Sequence, residues 1–177
     1  MIKLNLDAVE ESKGSFDRPG AGAYVLRIIS AKDVPEKEYL LLTMDIVEGK
    51  FKGYGEETEA RTGQDWGYMK AYLSYKTKAQ GIFKHNVKII DADNTGKNIY
   101  ARVNGGDETC LNGAFVCAVY GEQEYKKNDG TIGTRLGLPS FISGKDFRAG
   151  NYKVPEKKLL PKEEVTAPMP TYEETPF

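Results

Sequence analysis

Alternating apolar and polar residues predict two strands in the first third of the chain. The first covers residues 24–29, places Leu26 and Ile28 on one face, and ends before the turn residues Asp33-Val34-Pro35. The second covers residues 39–47, and the more apolar of its two alternating faces is expected to be buried, while Leu41, Thr43, Asp45 and Val47 lie on the other face. The face expected to be buried consists of Leu40, Leu42, Met44 and Ile46. Glycine-rich turns on either side of a short segment at 50–52 complete the pattern of an antiparallel meander.

The middle of the chain has a different spacing, which predicts helices. Apolar residues recur at helical intervals from residue 66, and a helix is predicted over residues 66–79. Gly81 is expected to interrupt it, a second helix is predicted over residues 83–90, and residues 91–97 are predicted to form a loop. Four apolar side chains would then pack on the core from these helices: Met69, Tyr72, Leu73 and Phe83.

The last third returns to strands. Apolar alternation predicts a strand over residues 115–120. Asp129-Gly130 predicts a tight hairpin turn within residues 126–131, because these two residue types adopt positive φ readily. A return strand is expected over residues 132–142. The order of elements therefore predicts a mainly β fold, a small five-stranded β-barrel with an inserted helical segment.

Composition changes at residue 155 and predicts a tail. Five of the eight prolines lie in the last 23 residues, together with five glutamates and few large apolar residues. Such a segment cannot bury enough apolar surface to offset its loss of conformational entropy. We therefore expect a domain over residues 1–154 and a flexible, acidic, proline-rich tail over residues 155–177.

The charge of the chain is nearly balanced overall but unevenly distributed. The sequence has 25 Lys and Arg and 26 Asp and Glu, a net charge of −1, which excludes a polycation of the histone kind. Residues 61–154 nevertheless carry a net charge of about +5, and the two flanking parts together about −6. Residues 66–90 contain five lysines, several aromatic residues and no acidic residue.

Lysines interleaved with aromatic residues are typical of proteins that bind single-stranded nucleic acid, since cations neutralise phosphates and exposed rings stack on bases. Three parts of the chain offer such residues: the basic middle, the hairpin near residue 130, and the turn near residue 51. The candidate nucleic-acid-binding residues are Lys50, Lys52, Tyr54, Trp66, Lys70, Lys76, Tyr125, Lys126, Lys127 and Arg135. The alternative is an amphipathic helix that shows its lysines to water, with solvated hairpin tips.

The sequence offers little for catalysis or for a cofactor. It has two cysteines, Cys110 and Cys117, and one histidine, and these counts argue against a disulfide framework and against a Cys/His zinc site. The cysteines are expected to be small buried hydrophobic residues. Residues 91–96 begin like a calcium loop, but Arg102 stands at the position of the bidentate Glu. We therefore expect no enzyme activity, no metal and no cofactor. No signal peptide or membrane span is indicated, so residence in the cytoplasm is expected.

The C-terminus ends in a short acidic and aromatic motif that suits docking to a partner protein. Its candidate partner-binding residues are Glu173, Glu174, Pro176 and Phe177. The terminal aromatic ring can fill an apolar pocket, while its carboxylate and the glutamates pair with a basic rim. This ending resembles the acidic Pro-Phe tip of bacterial single-stranded DNA-binding proteins.

Most of the chain also resembles a family of phage and prophage single-stranded DNA-binding proteins of the OB fold. The residues that carry this resemblance are 15–24, 33–40, 48–54, 128–130, 134–136 and 153–156. The resemblance implies an OB-like barrel that binds single-stranded DNA without sequence preference during phage replication or recombination. It also implies a bacterial host cytoplasm and recruitment of replication or recombination proteins by the tail. The sequence leaves open whether the chain forms a homo-oligomer. The alternative function is a phage protein-interaction or assembly module without nucleic-acid binding.

Overall fold

A computed structural model describes residues 17–161 of the chain, and its architecture is mainly β. A five-stranded antiparallel sheet has the order β3-β2-β1-β4-β7, and strands β5 and β6 form a separate hairpin. The strands are β1 Gly22–Val34, β2 Tyr39–Ile46, β3 Met69–Ser74, β4 Phe115–Tyr120, β5 Glu122–Lys126, β6 Ile132–Leu136 and β7 Ser140–Ile142. The α-helices within the described residues are α1 Tyr54–Thr62, α2 Gln80–Asp93, α3 Ile99–Asn104 and α4 Gly144–Ala149. None of them is long and apolar enough to cross a membrane.

Strand β1 is long enough to belong to both halves of the sheet. Its residues 26–34 pair with β2, while residues 22–27 pair with β4. The register shifts between Ile28 and Ser30, and such a bulge bends a strand and increases its twist. The sheet therefore curls around the core, with α2 packed against the concave side through Val87 and Ile90.

The core confirms the alternation that predicted the first two strands. Leu26 and Ile28 of β1 are fully buried, and so is the predicted apolar face of β2. Strand β4 and the hairpin also lie where the sequence predicts them, with Gly130 at φ 84° in the turn. Both cysteines are buried and free, as expected.

The predicted helix over residues 66–79 is wrong, because residues 69–74 form strand β3 at one edge of the sheet. Met69, Ala71 and Leu73 face the core, whereas Tyr72 is 50% exposed. Residues four apart share a face in a helix and also in a strand, so Met69 and Leu73 suit both structures. The expectation that Tyr72 packs in the core is wrong for the same reason.

Three further boundaries differ from the prediction. Residues 53–55, expected to form a turn, lead into α1, which begins at Tyr54 after Gly53 adopts φ 74°. Helix α2 extends to Asp93, into the expected loop, and Gly81 lies in its first turn. The return strand expected over 132–142 ends at Leu136, and the chain then crosses to the main sheet as β7.

The first residues of the predicted tail lie along the hairpin. Lys158 forms a parallel bridge with Gln123, and its N–H and C=O bond the main chain of Glu122 and Glu124 at 2.9 Å each. Lys157 forms an ion pair with Glu124 at 3.2 Å. We call residues 155–160 the strap. The predicted boundary at residue 154 thus falls before a segment that pairs with β5, while residues 162–177 of the predicted tail lie outside the described residues.

Three strands have an outer side with no described strand beside it within residues 17–161: β3 and β7, which end the main sheet, and β6 in the hairpin. Strand β3 ends the main sheet, and no described strand pairs with its outer side. In the hairpin the strap borders β5, whereas the outer side of β6 has no described strand beside it.

Candidate functional site

A groove of about 930 Å³ joins β3, α1 and the hairpin. One wall comes from α1 and the segment leading into β3, and the other comes from β5, β6 and the residues after β6. The chain just before β1 contributes to the same groove. The side chains that matter for its chemistry are Arg18, Tyr54, Trp66, Tyr68, Lys70, Tyr72, Tyr120, Glu122, Gln123, Tyr125, Thr134, Arg135 and Leu138.

The groove exposes large apolar side chains to solvent. Trp66 is 58% exposed, Tyr72 50% and Leu138 72%. Scattered single apolar residues are common on protein surfaces, but several along one groove mark an interaction site. Tyr72 also packs edge-to-face on Tyr39 at 5.3 Å, which limits how far its ring can move. The groove therefore offers the exposed rings of Trp66 and Tyr72, and the second of these is held by a neighbouring ring.

The wall that carries Trp66 is fixed by close contacts between glycines and their neighbours. A Cβ at Gly55 would lie 2.3 Å from the ring of Tyr68, and one at Gly67 would lie 2.4 Å from Cβ of Thr58. Only glycine allows the two segments to approach so closely. Helix α1 and the turn at residues 65–67 therefore interlock, and Trp66 projects from that turn.

A buried carboxylate in β2 holds the start of α1. Asp45, 6% exposed, accepts hydrogen bonds from the backbone N–H of Gly55 at 2.8 Å and of Glu56 at 3.1 Å. These N–H groups lie in the first turn of a helix and have no partner within it. Asp45 thus caps α1 from the neighbouring strand and ties the Trp66 wall to the sheet.

Cations lie on both walls. Lys70 of β3 donates to Asp65 at 2.7 Å, and this ammonium lowers the pKa of the Asp65 carboxyl. On the hairpin, the guanidinium of Arg135 lies 5.4 Å from the centre of the Tyr125 ring, within range of a cation–π contact. Arg18 adds a third cation, and Glu122 is an acidic residue in the same lining. The groove combines aromatic faces with positive charge on both sides.

Tyr68 lies at the base of the Trp66 wall. Its hydroxyl donates to the Glu59 carboxylate at 2.8 Å, and this hydrogen bond, with nearby acids and desolvation, raises the pKa of Tyr68 to about 12. The hydroxyl therefore stays protonated at neutral pH and links α1 to the segment before β3.

The groove brings together half of the predicted nucleic-acid-binding residues. Tyr54, Trp66, Lys70, Tyr125 and Arg135 line it, although they come from three separate parts of the sequence. The remaining five lysines, Lys50, Lys52, Lys76, Lys126 and Lys127, are exposed and lie outside the lining. Lys50 pairs with Asp17 and lies 5.3 Å from the centre of the Phe51 ring.

Several residues of the groove were not among the predicted site residues. Tyr72 was missed because the helical spacing predicted that it packs in the core, whereas a strand alternation would have placed it on the exposed face. Tyr68 was also missed. Arg18 and Leu138 carry no local signal, since only the tertiary fold brings them to the groove. Glu173, Glu174, Pro176 and Phe177 lie outside the described residues.

Other candidate chemistry is sparse in the described part of the chain. Burial raises the pKa of the Cys117 thiol to about 11 and also raises that of Cys110, so both are protonated at neutral pH. Among residues 17–161, no group of three or more His, Cys, Asp and Glu side chains lies close enough to hold a metal ion.

No protein-family model matches the sequence, and a search of curated proteins finds no significant match. The resemblance to phage single-stranded DNA-binding proteins therefore stays a prediction, and the functional argument depends on the groove itself.

Proposed function

We propose that the chain binds single-stranded DNA without sequence preference, in the groove between β3 and the hairpin. The observation that supports this most is the meeting of exposed rings and cations from two distant parts of the sequence: Trp66 and Lys70 on one wall, Tyr125 and Arg135 on the other. Each ring can stack on a base for about 1–3 kcal/mol, whichever base it is. The cations can neutralise phosphates and release their counterions.

The topology supports an OB-like description of the fold. Strands β1, β2 and β3 form a meander, α2 follows β3, and β4 returns to pair with β1. The hairpin β5–β6 then extends from the sheet before β7 rejoins it beside β4. Such barrels bind single strands with one face and the loops that extend it.

The exposed rings favour a single strand over a duplex. In a duplex each base is already stacked on its neighbours, so its faces are not available to a protein ring. Trp66 and Tyr72 can therefore stack on bases only when the strand is unpaired. In our proposal the protein coats strands during phage DNA replication or recombination and is not an enzyme. The C-terminal residues recruit a partner protein, and the oligomeric state is left to measurement.

Fluorescence anisotropy of a labelled oligo-dT strand tests the proposal directly. We expect Trp66→Ala and Tyr72→Ala each to weaken binding about 5- to 100-fold, the equivalent of one lost stacking contact. Tyr152→Ala is the matched control, because Tyr152 is a partly exposed aromatic residue that stacks on Phe147 outside the groove. The Tyr152→Ala variant should bind DNA with the same affinity as the unmodified chain.

Salt and duplex controls complete the experiment. Binding should weaken steeply as salt rises, and a duplex of the same length should bind much more weakly than the single strand. Equal affinity for both, or an affinity that neither Trp66→Ala nor Tyr72→Ala changes, would contradict the proposal.

The open strand edges support a second candidate function, a protein-interaction module. Residues of the edge strands β3 and β6 both line the groove, and an extended peptide can add to such an edge through main-chain hydrogen bonds. The DNA titration separates the two functions. If the chain does not bind oligo-dT but binds an extended peptide in the groove, the result would favour the protein-interaction module.

A further inference from the structure

A second cavity of about 540 Å³ lies between α2, α3 and the adjoining ends of β1 and β2. It shares no lining residue with the groove. We call it the α2–α3 pocket. Its chemistry is set by three aromatic residues and three charged ones: Tyr75, Phe83, Tyr100, Asp33, Lys84 and Glu108.

The aromatic residues of the pocket are half-buried and held in place. Tyr75 and Phe83 pack edge-to-face, with ring centres 6.1 Å apart and an interplanar angle of 83°. Behind them the lining is apolar, with Leu40 and Val87 from the core. The ammonium of Lys88 lies 5.5 Å from the centre of the Tyr100 ring, which is within the range of a cation–π contact.

The charge of the pocket is opposite to that of the groove. Asp33 and Glu108 outnumber Lys84 in its lining. The Tyr75 hydroxyl donates to Oδ1 of Asp33 at 2.8 Å, which fixes that carboxylate at the pocket. Among residues 17–161, neither Glu108 nor Lys84 has an ion-pair partner, and Oδ2 of Asp33 accepts no side-chain hydrogen bond. Two carboxylates are thus available to a ligand.

We propose that the α2–α3 pocket binds a guanidinium or ammonium group carried on an apolar stem. Aromatic faces attract cations and also cover an alkyl chain, while the carboxylates of Asp33 and Glu108 accept charge-assisted hydrogen bonds. Its volume of about 540 Å³ lies within the usual range of small-molecule sites. The cation can come from an Arg or Lys side chain of a partner protein or from a free small amine.

Titrations followed by NMR of the full chain test this proposal with four probes. These are agmatine, an arginine-containing peptide, the same peptide with citrulline, and inorganic phosphate. We expect agmatine and the arginine peptide to shift the resonances of the pocket residues, whereas the neutral citrulline peptide and phosphate should not. Tighter binding of the peptide would assign the source to a protein, and tighter binding of agmatine would assign it to a small amine.

Substitutions of opposite sign sharpen the test. Asp33→Asn and Glu108→Gln should each weaken cation binding about five-fold or more, since each removes one attractive charge. Lys84→Met should strengthen it, because a like charge is removed while the alkyl chain stays. The proposal fails if citrulline replaces arginine without loss, if no cation binds at millimolar concentration, or if Lys84→Met weakens binding. Trp66→Ala, in the groove, is the control that should leave cation binding unchanged.

Discussion

The groove and the α2–α3 pocket contain similar residues but use them in opposite ways. In the groove, Trp66 and Tyr72 are half exposed or more and lie among cations. In the pocket, Tyr75 and Phe83 are half-buried and lie beside carboxylates. Tyr72 and Tyr75 are only three residues apart, yet they line different cavities. Tyr72 lies within β3 with its ring exposed, whereas Tyr75 follows Ser74, the last residue of the strand, so the two rings do not share one face.

The largest effect should come from breaking the interlocked wall of the groove. Gly67→Ala places a methyl group 2.4 Å from Cβ of Thr58, and we expect it to lower the free energy of unfolding by about 2–3 kcal/mol. It should also shift the fluorescence of Trp66 and weaken oligo-dT binding. Gly81→Ala is the control, because nothing lies within 4 Å of its added Cβ and it stands in a helix. Equal destabilisation by both substitutions in urea denaturation would show that the close contact is not what fixes this wall.

A second effect concerns how the same wall is tied to the sheet. In Asp45→Asn an NH₂ donor replaces one of the two carboxylate oxygens that accept hydrogen bonds from α1. We expect this substitution to lower the free energy of unfolding by about 2 kcal/mol. Cation binding in the α2–α3 pocket should not change, since Asp45 lies outside it. Asp65→Asn removes an exposed ion pair with Lys70 and should cost less than about 1 kcal/mol. Thermal or urea unfolding of both variants measures the difference, and a reversed order would refute the capping role of Asp45.

Two tyrosines in contact with each other, of which Tyr120 lines the groove, offer a smaller and more specific comparison. Tyr24 and Tyr120 pack edge-to-face at 6.1 Å, but their hydroxyl groups differ. The Tyr24 hydroxyl donates to the Gly20 carbonyl at 2.7 Å, whereas the buried Tyr120 hydroxyl has no hydrogen-bond partner within residues 17–161. Tyr24→Phe should therefore lower the free energy of unfolding by about 1 kcal/mol, while Tyr120→Phe should leave it unchanged or raise it. A larger loss from Tyr120→Phe would show that its hydroxyl is bonded in solution.

The smallest effect concerns the strap and is a dependence on pH. The N–H of Leu160 and the ammonium of Lys157 lower the pKa of Glu124 below its ordinary value. The stabilisation from this carboxylate is therefore complete above the ordinary pKa of about 4.3 and is lost as the pH falls through the lowered folded-state value. The protection of the Glu124 and Lys158 amides against hydrogen exchange, measured relative to the intrinsic exchange rate at each pH, should fall over that range, and Glu124→Gln should remove this pH dependence.

The parts of the fold that sequence reasoning found are those with an unambiguous local pattern. Strand β2 has a large apolar residue at every second position from Leu40 to Ile46, and the turn after Asp129 requires positive φ at Gly130, so both were placed correctly. Helix α1 was missed because it is largely polar and buries only Gly55 and Thr58, which leaves no apolar periodicity to detect. Helices α3 and α4 have six residues each, which is less than two turns of pattern.

The candidate site could be predicted only in part. The clustering of lysines and aromatic residues pointed to segments that form both walls of the groove, since each wall includes predicted residues. It could not show which lysines join the groove, because Lys70 and Lys76 differ only in their position relative to β3. Nor could it reveal the α2–α3 pocket, where Asp33 and Glu108 meet across 75 residues of sequence through the packing of α2 and α3.

The open edges of β3 and β6 give the groove cations a second consequence. An exposed strand edge can pair with another molecule and extend the sheet into an aggregate, and charged side chains on the edge discourage such pairing. Lys70 stands on one open edge and Arg135 on the other. Variants that remove these charges should therefore associate more readily as their concentration rises. Lys70 and Arg135, whose charges suit the binding of a polyanion, thus also discourage edge-to-edge pairing of the chains into a fibre.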